Sequence, residues 1–368
     1  GFLLAGLAAL SMAGCATRSA TVDSPVLRDP AALDQAAEML VAAKKPVLLA
    51  EFAGRSEAGF DALVKLAETV QAPVYDLNTR LNFPGCHPLN MSMVDDIFTD
   101  ADLIVGLDVR DWERPTTKLS STTRKVERIT PKNCRFVDIG FGDLEISAWA
   151  LDYQRLLDAD LRIMADTDLA IPELTRRCRA LLNRNAAIKT RIKRRRAEIA
   201  KRHQAARQRW AKEARKGRND RPLRLPVLAA EVWEAIKDED WVLTAGTLEN
   251  WSRKLWDFDK HYRHAGKSLG TSTQIGISLG VGLAHRDKGR LVVDFQPDGD
   301  LMFDAGALWV AAKHNIPMLV VMYNNRAYYN DWEHQIAIAK DRGRDEEMAY
   351  LGMELAHPAP DFGKLAQA

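Results

Sequence analysis

The sequence predicts an α/β protein in which two Rossmann-like parallel-sheet domains are joined by a long basic helical linker. Short runs of β-branched and apolar residues alternate with stretches that carry apolar residues at helical spacing, which is the pattern of a parallel sheet with crossover helices. A length of 368 residues suits about two domains. A strongly basic stretch separates the two α/β halves and ends in a polar turn around Gly217.

Residues 1–30 have the composition of an apolar leader followed by a polar linker. Residues 1–14 are apolar and rich in small residues, and they run into Cys15 as a lipoprotein signal runs into its lipidated cysteine. The run carries no basic residue and is too short to span a membrane. Two interpretations stay open: a signal that anchors the chain to lipid through Cys15, and an apolar remnant of an upstream domain. The four cysteines form no CxxC pair, so the default expectation is a reduced, cytoplasmic location.

Residues 31–172 predict the first α/β domain, a central Rossmann-like unit. Amphipathic helices are expected over 31–43 and 60–70. The expected strands are 46–50, 74–77, 103–107, 136–139 and 161–165. The tripeptide Gly54-Arg55-Ser56 is the only candidate phosphate turn in this domain, and no GxGxxG motif is present. A nucleotide site in this domain therefore has little support.

Residues 173–225 form the basic helical linker, with its densest charge at 193–196 and 201–203. Such a patch is typical of proteins that bind nucleic acid or an anionic membrane. Apolar residues recur near helical spacing along it, however, and Glu198 and Glu213 interrupt the charge. We favour a solvated helix that packs along one side, with no nucleic-acid partner. The formal charge of the whole chain, +2, adds no argument for one.

Residues 226–368 predict the second domain. A helix over 226–237 leads to a strand over 241–246, and a glycine-rich loop then opens a helix with glycines at 276, 280 and 282. Small residues let a backbone approach a ligand closely, and the N-terminus of a helix offers free N–H groups to anions. Close packing of this helix on the sheet would explain the same glycines.

The most informative stretch is 291–325, which predicts one βαβ unit. The expected order is a strand over 291–295, a turn over 297–300, a helix over 301–314 and a strand over 318–322. Asp298 follows the first strand and Asn325 the second. Because the carboxyl ends of neighbouring parallel strands open into one crevice, these two side chains are expected to meet. A carboxylate, an amide and a backbone carbonyl suit a Mg²⁺ ion that also holds phosphate oxygens.

Asp298-Gly299 followed at this interval by Asn324-Asn325 resembles the thiamine diphosphate signature of the pyruvate decarboxylase and acetolactate synthase superfamily, which includes benzoylformate decarboxylase. Pro297 stands where the family usually has the first Gly of its Gly-Asp-Gly, a residue that shapes the turn and is not a ligand. The resemblance implies Mg²⁺ ligands at Asp298, at Asn325 and at the carbonyl of Ala327.

The resemblance also implies contacts to the cofactor diphosphate. These positions are Gly246, Thr247, Gly270, Thr271, Ser272, Gly299 and Asp300. Glu333 and His334 fall in the region that helps to form the substrate pocket in the family, and they are the candidates for proton transfer. A position on the polar surface explains these two residues equally well.

The resemblance covers the central and the diphosphate-binding domains only. It implies a thiamine-diphosphate- and Mg²⁺-dependent 2-oxo-acid decarboxylase or acetolactate-synthase-like carboligase, a homodimer or homotetramer that acts on a small-molecule 2-oxo acid. No residue here matches the glutamate of the family's pyrimidine-binding domain, and residues 226–368 look incomplete at their C-terminal end. The alternative is a non-catalytic binding protein, possibly anchored through Cys15, on a degenerate copy of the fold. Retention of both metal-ligand positions favours the enzyme, while the particular 2-oxo acid is beyond the sequence.

Overall fold

The computed structural model describes residues 30–120, 123, 125–142, 158–266 and 272–367. The predicted leader and two of the predicted cofactor contacts, Gly270 and Thr271, lie outside the described residues. The described chain is an α/β protein with two parallel sheets, which confirms the predicted fold class. None of the helices in this part of the chain is both long and apolar enough to cross a membrane.

The first sheet has five parallel strands. The elements in chain order are α1 (Pro30–Ala42), β1 (Pro46–Ala50), α2 (Glu57–Val70), β2 (Val74–Asp76), β3 (Leu103–Leu107), α3 (Glu113–Thr116), β4 (Thr117–Leu119), β5 (Val126–Arg128), β6 (Arg135–Ile139) and β7 (Leu161–Ile163). The strand order is β2-β1-β3-β6-β7, and β4 pairs with β5 in a separate antiparallel ribbon that the sequence analysis did not predict. Every residue of β1 and β3 is buried, since helices cover both faces of the sheet.

Two helices follow the first sheet, α4 (Thr167–Asn183) and α5 (Ala186–Ala214). They are separated at Asn185, whose side-chain oxygen accepts a hydrogen bond from the Ile188 N–H and so begins α5. Leu174 and Cys178 of α4 belong to the core of the first sheet. The predicted boundary between residues 172 and 173 is therefore wrong, because it falls inside a helix whose apolar face packs on α1 and α2.

The basic residues of α5 include two arginines that close the ends of other helices. Arg191 donates from Nη2 to the carbonyls of Val41, at 2.7 Å, and Ala42, at 3.1 Å. Arg195 donates from Nε to the carbonyl of Gln71, at 2.8 Å, and from Nη2 to the last carbonyl of α2. These carbonyls stand at the C-termini of α1 and α2, where no partner exists within the helix. Burial lowers the pKa of Arg195 to about 10.

The second sheet has three parallel strands in the order β10-β9-β8. Its elements are α6 (Leu225–Ile236), β8 (Trp241–Leu243), α7 (Trp251–Leu255), α8 (Thr273–His285), β9 (Leu291–Pro297), α9 (Asp298–Phe303), α10 (Ala307–Lys313), β10 (Leu319–Tyr323), α11 (Tyr329–Asp341) and α12 (Phe362–Gln367). The turn predicted over 297–300 is instead the end of β9 and the first turn of α9. The single helix predicted over 301–314 is two helices, because Asp304 leaves the helical conformation with φ −150° and ψ 65°.

An aromatic core packs on one face of this sheet. Trp241 and Trp256 meet edge to face with ring centroids 5.3 Å apart, and Phe295 of β9 lies 5.5 Å from Trp256. The indole N–H of Trp256 donates to the carbonyl of Ala229 at 2.8 Å, so the buried polar atom is satisfied. The opposite face of β9 faces α8. Val292 packs there against Val281, and Asp294 and Gln296 follow toward the carboxyl end of the strand.

Candidate cofactor site

The carboxyl ends of β9 and β10 lie side by side. Tyr323, the last residue of β10, pairs in parallel register with Pro297, the last residue of β9. Asp298 therefore begins where β9 ends, and Asn325 lies two residues beyond β10. Both line a cleft of about 510 Å³. Among the other predicted site residues, the cleft is also lined by Gly299, Asp300, Ala327 and Glu333.

Asp298 is buried with one carboxylate oxygen unpaired. The residue is 2% exposed, and its Oδ2 has no hydrogen-bond partner among the described residues. A buried carboxylate oxygen without a partner is unfavourable, so a positive charge at this point would stabilise it. Asn325 is exposed, and its Oδ1 accepts the Ala327 N–H at 3.1 Å, which leaves one lone pair of that oxygen free. Within the described residues no three His, Cys, Asp or Glu side chains are grouped to hold a metal, so an ion here would bind one carboxylate and neutral oxygens.

Two glycines allow backbone to come close at this site. A Cβ atom on Gly299 would lie 2.8 Å from Cδ1 of Tyr328 and 3.4 Å from the Ala327 carbonyl oxygen. A Cβ atom on Gly246, which follows β8, would lie 2.6 Å from the carbonyl oxygen of Phe295. Neither position has room for a side chain. Gly246 itself does not line the cleft, but it sets how closely the loop after β8 approaches β9.

Thr247 shapes that loop from inside. Its carbonyl accepts the Ser252 N–H at 3.2 Å, and its Oγ1 accepts the Asn250 N–H at 3.3 Å. Like Gly246, it does not line the cleft.

Asp300 fixes the entrance to α8. Its Oδ1 accepts the Ser272 N–H at 2.9 Å, and its Oδ2 accepts the Gln296 side-chain N–H at 3.1 Å. Ser272 has a left-handed φ of 71° and directly precedes the helix. Unlike Asp298, Asp300 has a partner on each carboxylate oxygen, and it holds Ser272 at the start of α8.

A buried polar layer lies under the cleft between β9 and α8. Asp294 is fully buried, and its Oδ1 accepts from the Thr244 hydroxyl at 3.2 Å and from the Gln274 amide at 3.3 Å. Desolvation raises the pKa of Asp294 to about 6. This layer was not predicted from the sequence. Its signal was the alternation of Asp294 and Gln296 with apolar residues along β9.

The two predicted proton-transfer candidates lie in different places. Glu333 of α11 is exposed and lines the cleft, whereas His334 is exposed and does not line it. The structure also brings Glu249 to the cleft, a residue that the sequence analysis did not select. The only sequence signal for Glu249 was its position in the loop after the strand that ends near Gly246.

The ends of two adjacent parallel strands supply a carboxylate and an amide to one cleft, and glycines allow close approach of the backbone there. This arrangement is that of an α/β cofactor-binding domain. Residues 244–368 match the family model for the thiamine pyrophosphate enzyme, C-terminal TPP binding domain. The resemblance to thiamine-diphosphate-dependent enzymes that Asp298 and Asn325 indicated in the sequence is thereby confirmed.

Solved structures of such enzymes share the fold. A putative thiamin diphosphate-dependent enzyme from Mycobacterium smegmatis matches with a TM-score of 0.59 and 20% identity over 91% of this chain. The thiamine diphosphate-dependent 4-hydroxybenzoylformate decarboxylase of Rhodococcus jostii RHA1 matches with 0.62 and 16% over 95%. The benzoylformate decarboxylase of Polynucleobacter necessarius matches with 0.63 and 14% over 92%. This chain spans 57%, 59% and 58% of those three chains, respectively.

Proposed function

We propose that this chain binds thiamine diphosphate through a Mg²⁺ ion at the cleft between β9 and β10. The observation that carries the proposal is the buried, unpartnered Oδ2 of Asp298, which stands beside Asn325 at the ends of adjacent parallel strands. Asp298, the Asn325 amide oxygen and the Ala327 carbonyl would hold the ion. Hard oxygen ligands of this kind leave positions for phosphate oxygens, as Mg²⁺ prefers.

The surrounding residues fit a diphosphate group. Gly299 lets the segment at Ala327 and Tyr328 lie close to the backbone after β9, and Gly246 lets the loop after β8 lie close to that strand. Asp300 holds Ser272 at the start of α8. When bound, thiamine diphosphate would supply the electron sink that decarboxylation of a 2-oxo acid requires.

The reaction we propose is decarboxylation of a 2-oxo acid, or carboligation that starts from one. Two of the structures with the same fold are named as decarboxylases of benzoylformate or 4-hydroxybenzoylformate. A homodimer or homotetramer, with a cytoplasmic location, belongs to the same proposal because the family resemblance and the scattered cysteines favour it. Nucleic acid is not proposed as a partner; two of the arginines of the basic helix, Arg191 and Arg195, bond to carbonyls at helix ends.

Calorimetric titration with thiamine diphosphate tests the site. We expect binding in the presence of Mg²⁺ and none with a chelator. Asp298→Ala should abolish it, because one ligand of the ion is lost while the phosphate charge remains. Asp304→Ala is the matched control, since Asp304 is an exposed carboxylate that follows the same helix and does not line the cleft. Equal binding by Asp298→Ala and the wild type would exclude the assigned ligand.

A CO₂-release assay on pyruvate and benzoylformate tests the reaction separately. No residue of this sequence matches the family glutamate that activates the cofactor, so we expect the chain alone to bind without releasing CO₂. Release of CO₂ by the chain alone would show that the reaction does not need that glutamate, while leaving the cofactor site intact.

A further inference from the structure

The loop between β8 and α7 has an unusual backbone. Leu248, Glu249 and Asn250 are three consecutive left-handed residues, with φ of 49°, 53° and 68°. Asparagine tolerates this region, but leucine and glutamate rarely adopt it. Such conformations persist only where the surroundings enforce them, and they concentrate at functional sites. This loop carries Gly246 against β9 and Glu249 into the cleft.

Bonds within the loop do not explain its fixed shape. The Thr247 carbonyl accepts from both the N–H and the hydroxyl of Ser252, and the Thr247 hydroxyl accepts from the Asn250 N–H. All of these groups belong to the loop or to α7, so they do not fix the segment against the rest of the protein. Gly246 packs on β9 and Leu248 is buried in the aromatic core of the second sheet, which anchors one side of the loop.

A second anchor comes from the first sheet. Asn78, two residues beyond β2, donates from Nδ2 to Oδ1 of Asn250 at 3.2 Å. Asp76, the last residue of β2, faces Arg253 of α7, with 3.5 Å between Oδ2 and Nη2. The Asp76 side chain is 0% exposed and the Arg253 side chain 6%. Burial lowers the pKa of Arg253, and the charge of Asp76 opposes that change. A buried charge of this kind depends on its partner.

The first-sheet side of the contact is rigid. Asp76 pairs with Ala50 of β1 in the sheet, and its Oδ1 accepts the Asn78 N–H at 2.8 Å. Its Oδ2 accepts the Asn82 N–H at 2.8 Å. Asn78 and Asp76 therefore present their side chains from a fixed turn. The two contacts hold Asn250 at the end of the loop and Arg253 in α7, three residues apart.

We infer that Asp76 and Asn78 of the first domain are positioning residues for the cofactor loop, 246–250, of the second domain. The inference rests on the proposed cofactor site. The first domain then serves cofactor binding without touching the cofactor, since it holds Leu248, Glu249 and Asn250 in a backbone conformation that they would otherwise leave. Without the contacts from Asp76 and Asn78, restoring that conformation would reduce the free energy of cofactor binding.

The test compares Asn78→Gly with Thr79→Val. Glycine keeps the left-handed φ of 65° at position 78 accessible and removes only the amide that reaches Asn250. The hydroxyl of Thr79 bonds to Glu51 inside the first domain, so Thr79→Val is a matched loss of one bond in the same turn. Hydrogen exchange of the backbone amides over 248–256 reports the loop directly, and calorimetric titration of thiamine diphosphate with Mg²⁺ reports its consequence.

In Asn78→Gly we expect faster exchange over 248–256 and about three- to tenfold weaker cofactor binding, the effect of about one hydrogen bond. Thr79→Val should change neither. In Asn250→Gly, which removes the acceptor, a further Asn78→Gly should add nothing, because the two side chains make one contact. Unchanged exchange in Asn78→Gly would show that Asn78 does not hold the loop. Faster exchange with unchanged cofactor affinity would show that Asn78 is not a positioning residue for cofactor binding. If the wild type shows no Mg²⁺-dependent binding, the proposed function fails, and the exchange data still decide whether the loop is held.

Discussion

Gly246 offers the sharpest test of how closely the loop after β8 approaches β9. In Gly246→Ala the new Cβ would lie 2.6 Å from the carbonyl oxygen of Phe295 and 2.8 Å from Nε2 of Gln274. The Phe295 carbonyl is part of a central strand, and the Gln274 amide is already bonded to it and to Asp294. Neither neighbour can give way without breaking a buried hydrogen bond.

The magnitude follows from this crowding. Forcing one extra methyl group into a packed interior costs about 1–3 kcal/mol. Gly276→Ala is the matched control, because a Cβ at this exposed position of α8 meets nothing within 4 Å. Replacing a solvent-facing glycine in a helix with alanine stabilises by about 0.5–1 kcal/mol. The same chemical change is thus expected to have opposite signs at two glycines that are 30 residues apart in the sequence.

Urea unfolding followed by tryptophan fluorescence measures both effects, since Trp241 and Trp256 are buried in the core of this domain. We expect the unfolding midpoint to fall in Gly246→Ala and to rise in Gly276→Ala. Cofactor affinity should fall in Gly246→Ala only. A Gly246→Ala protein as stable as the wild type would refute the close approach on which the shape of the cofactor loop depends.

Two further predictions concern buried charged groups. Arg195→Met should lower the free energy of unfolding by about 2–3 kcal/mol, because buried carbonyls at the ends of α1 and α2 lose their donor. Arg194→Met, at an exposed position of α5, is the control and should have little effect. Thermal unfolding measures both. Asp294→Asn should be more stable than the wild type at neutral pH. The folded state raises the pKa of Asp294 from 3.8 to about 6, so the wild type is fully stable with respect to this group below pH 3.8 and loses that stability as the pH rises through 6. Urea unfolding from pH 4 to pH 7 checks the sign, and a stability difference that shrinks with rising pH would contradict it.

Strand positions were predictable where a strand is buried on both faces, because its sequence is then a continuous apolar run. β1 and β3 are continuous apolar runs because helices cover both faces of their sheet, and their predicted bounds match the structure. That Asp298 and Asn325 line one cleft follows from the parallel pairing of β9 and β10, which puts both strand ends at one edge. These features depend on local pattern and on one topological rule.

Other features depend on contacts that no local pattern carries. Asn78 and Asn250 are 172 residues apart, and nothing in either segment signals that they bond. The helix glycines illustrate the same limit. Close packing on the sheet was one interpretation of the glycines at 276, 280 and 282. Of these three, only a Cβ on Gly282 would collide, at 2.5 Å from Cγ2 of Ile316, while Gly276 and Gly280 face open space. His334 has a side chain capable of proton transfer but does not line the cleft. This position could not be predicted, because the sequence does not show which face of α11 points to the cleft.

The arginine caps of α5 determine where this polypeptide can be divided. Composition suggests a cut near residue 172, where the basic stretch starts, but that cut severs α4. A cut after α4 leaves the carbonyls of Val41 and Gln71 without the guanidinium groups that complete them. A first-domain fragment that keeps its helix ends satisfied must continue through Arg195. Helix α5 also contacts the end of α7, because Arg207 donates to Asp257 at 2.7 Å and to the Leu255 carbonyl. The helix that completes the first domain therefore also packs on the second.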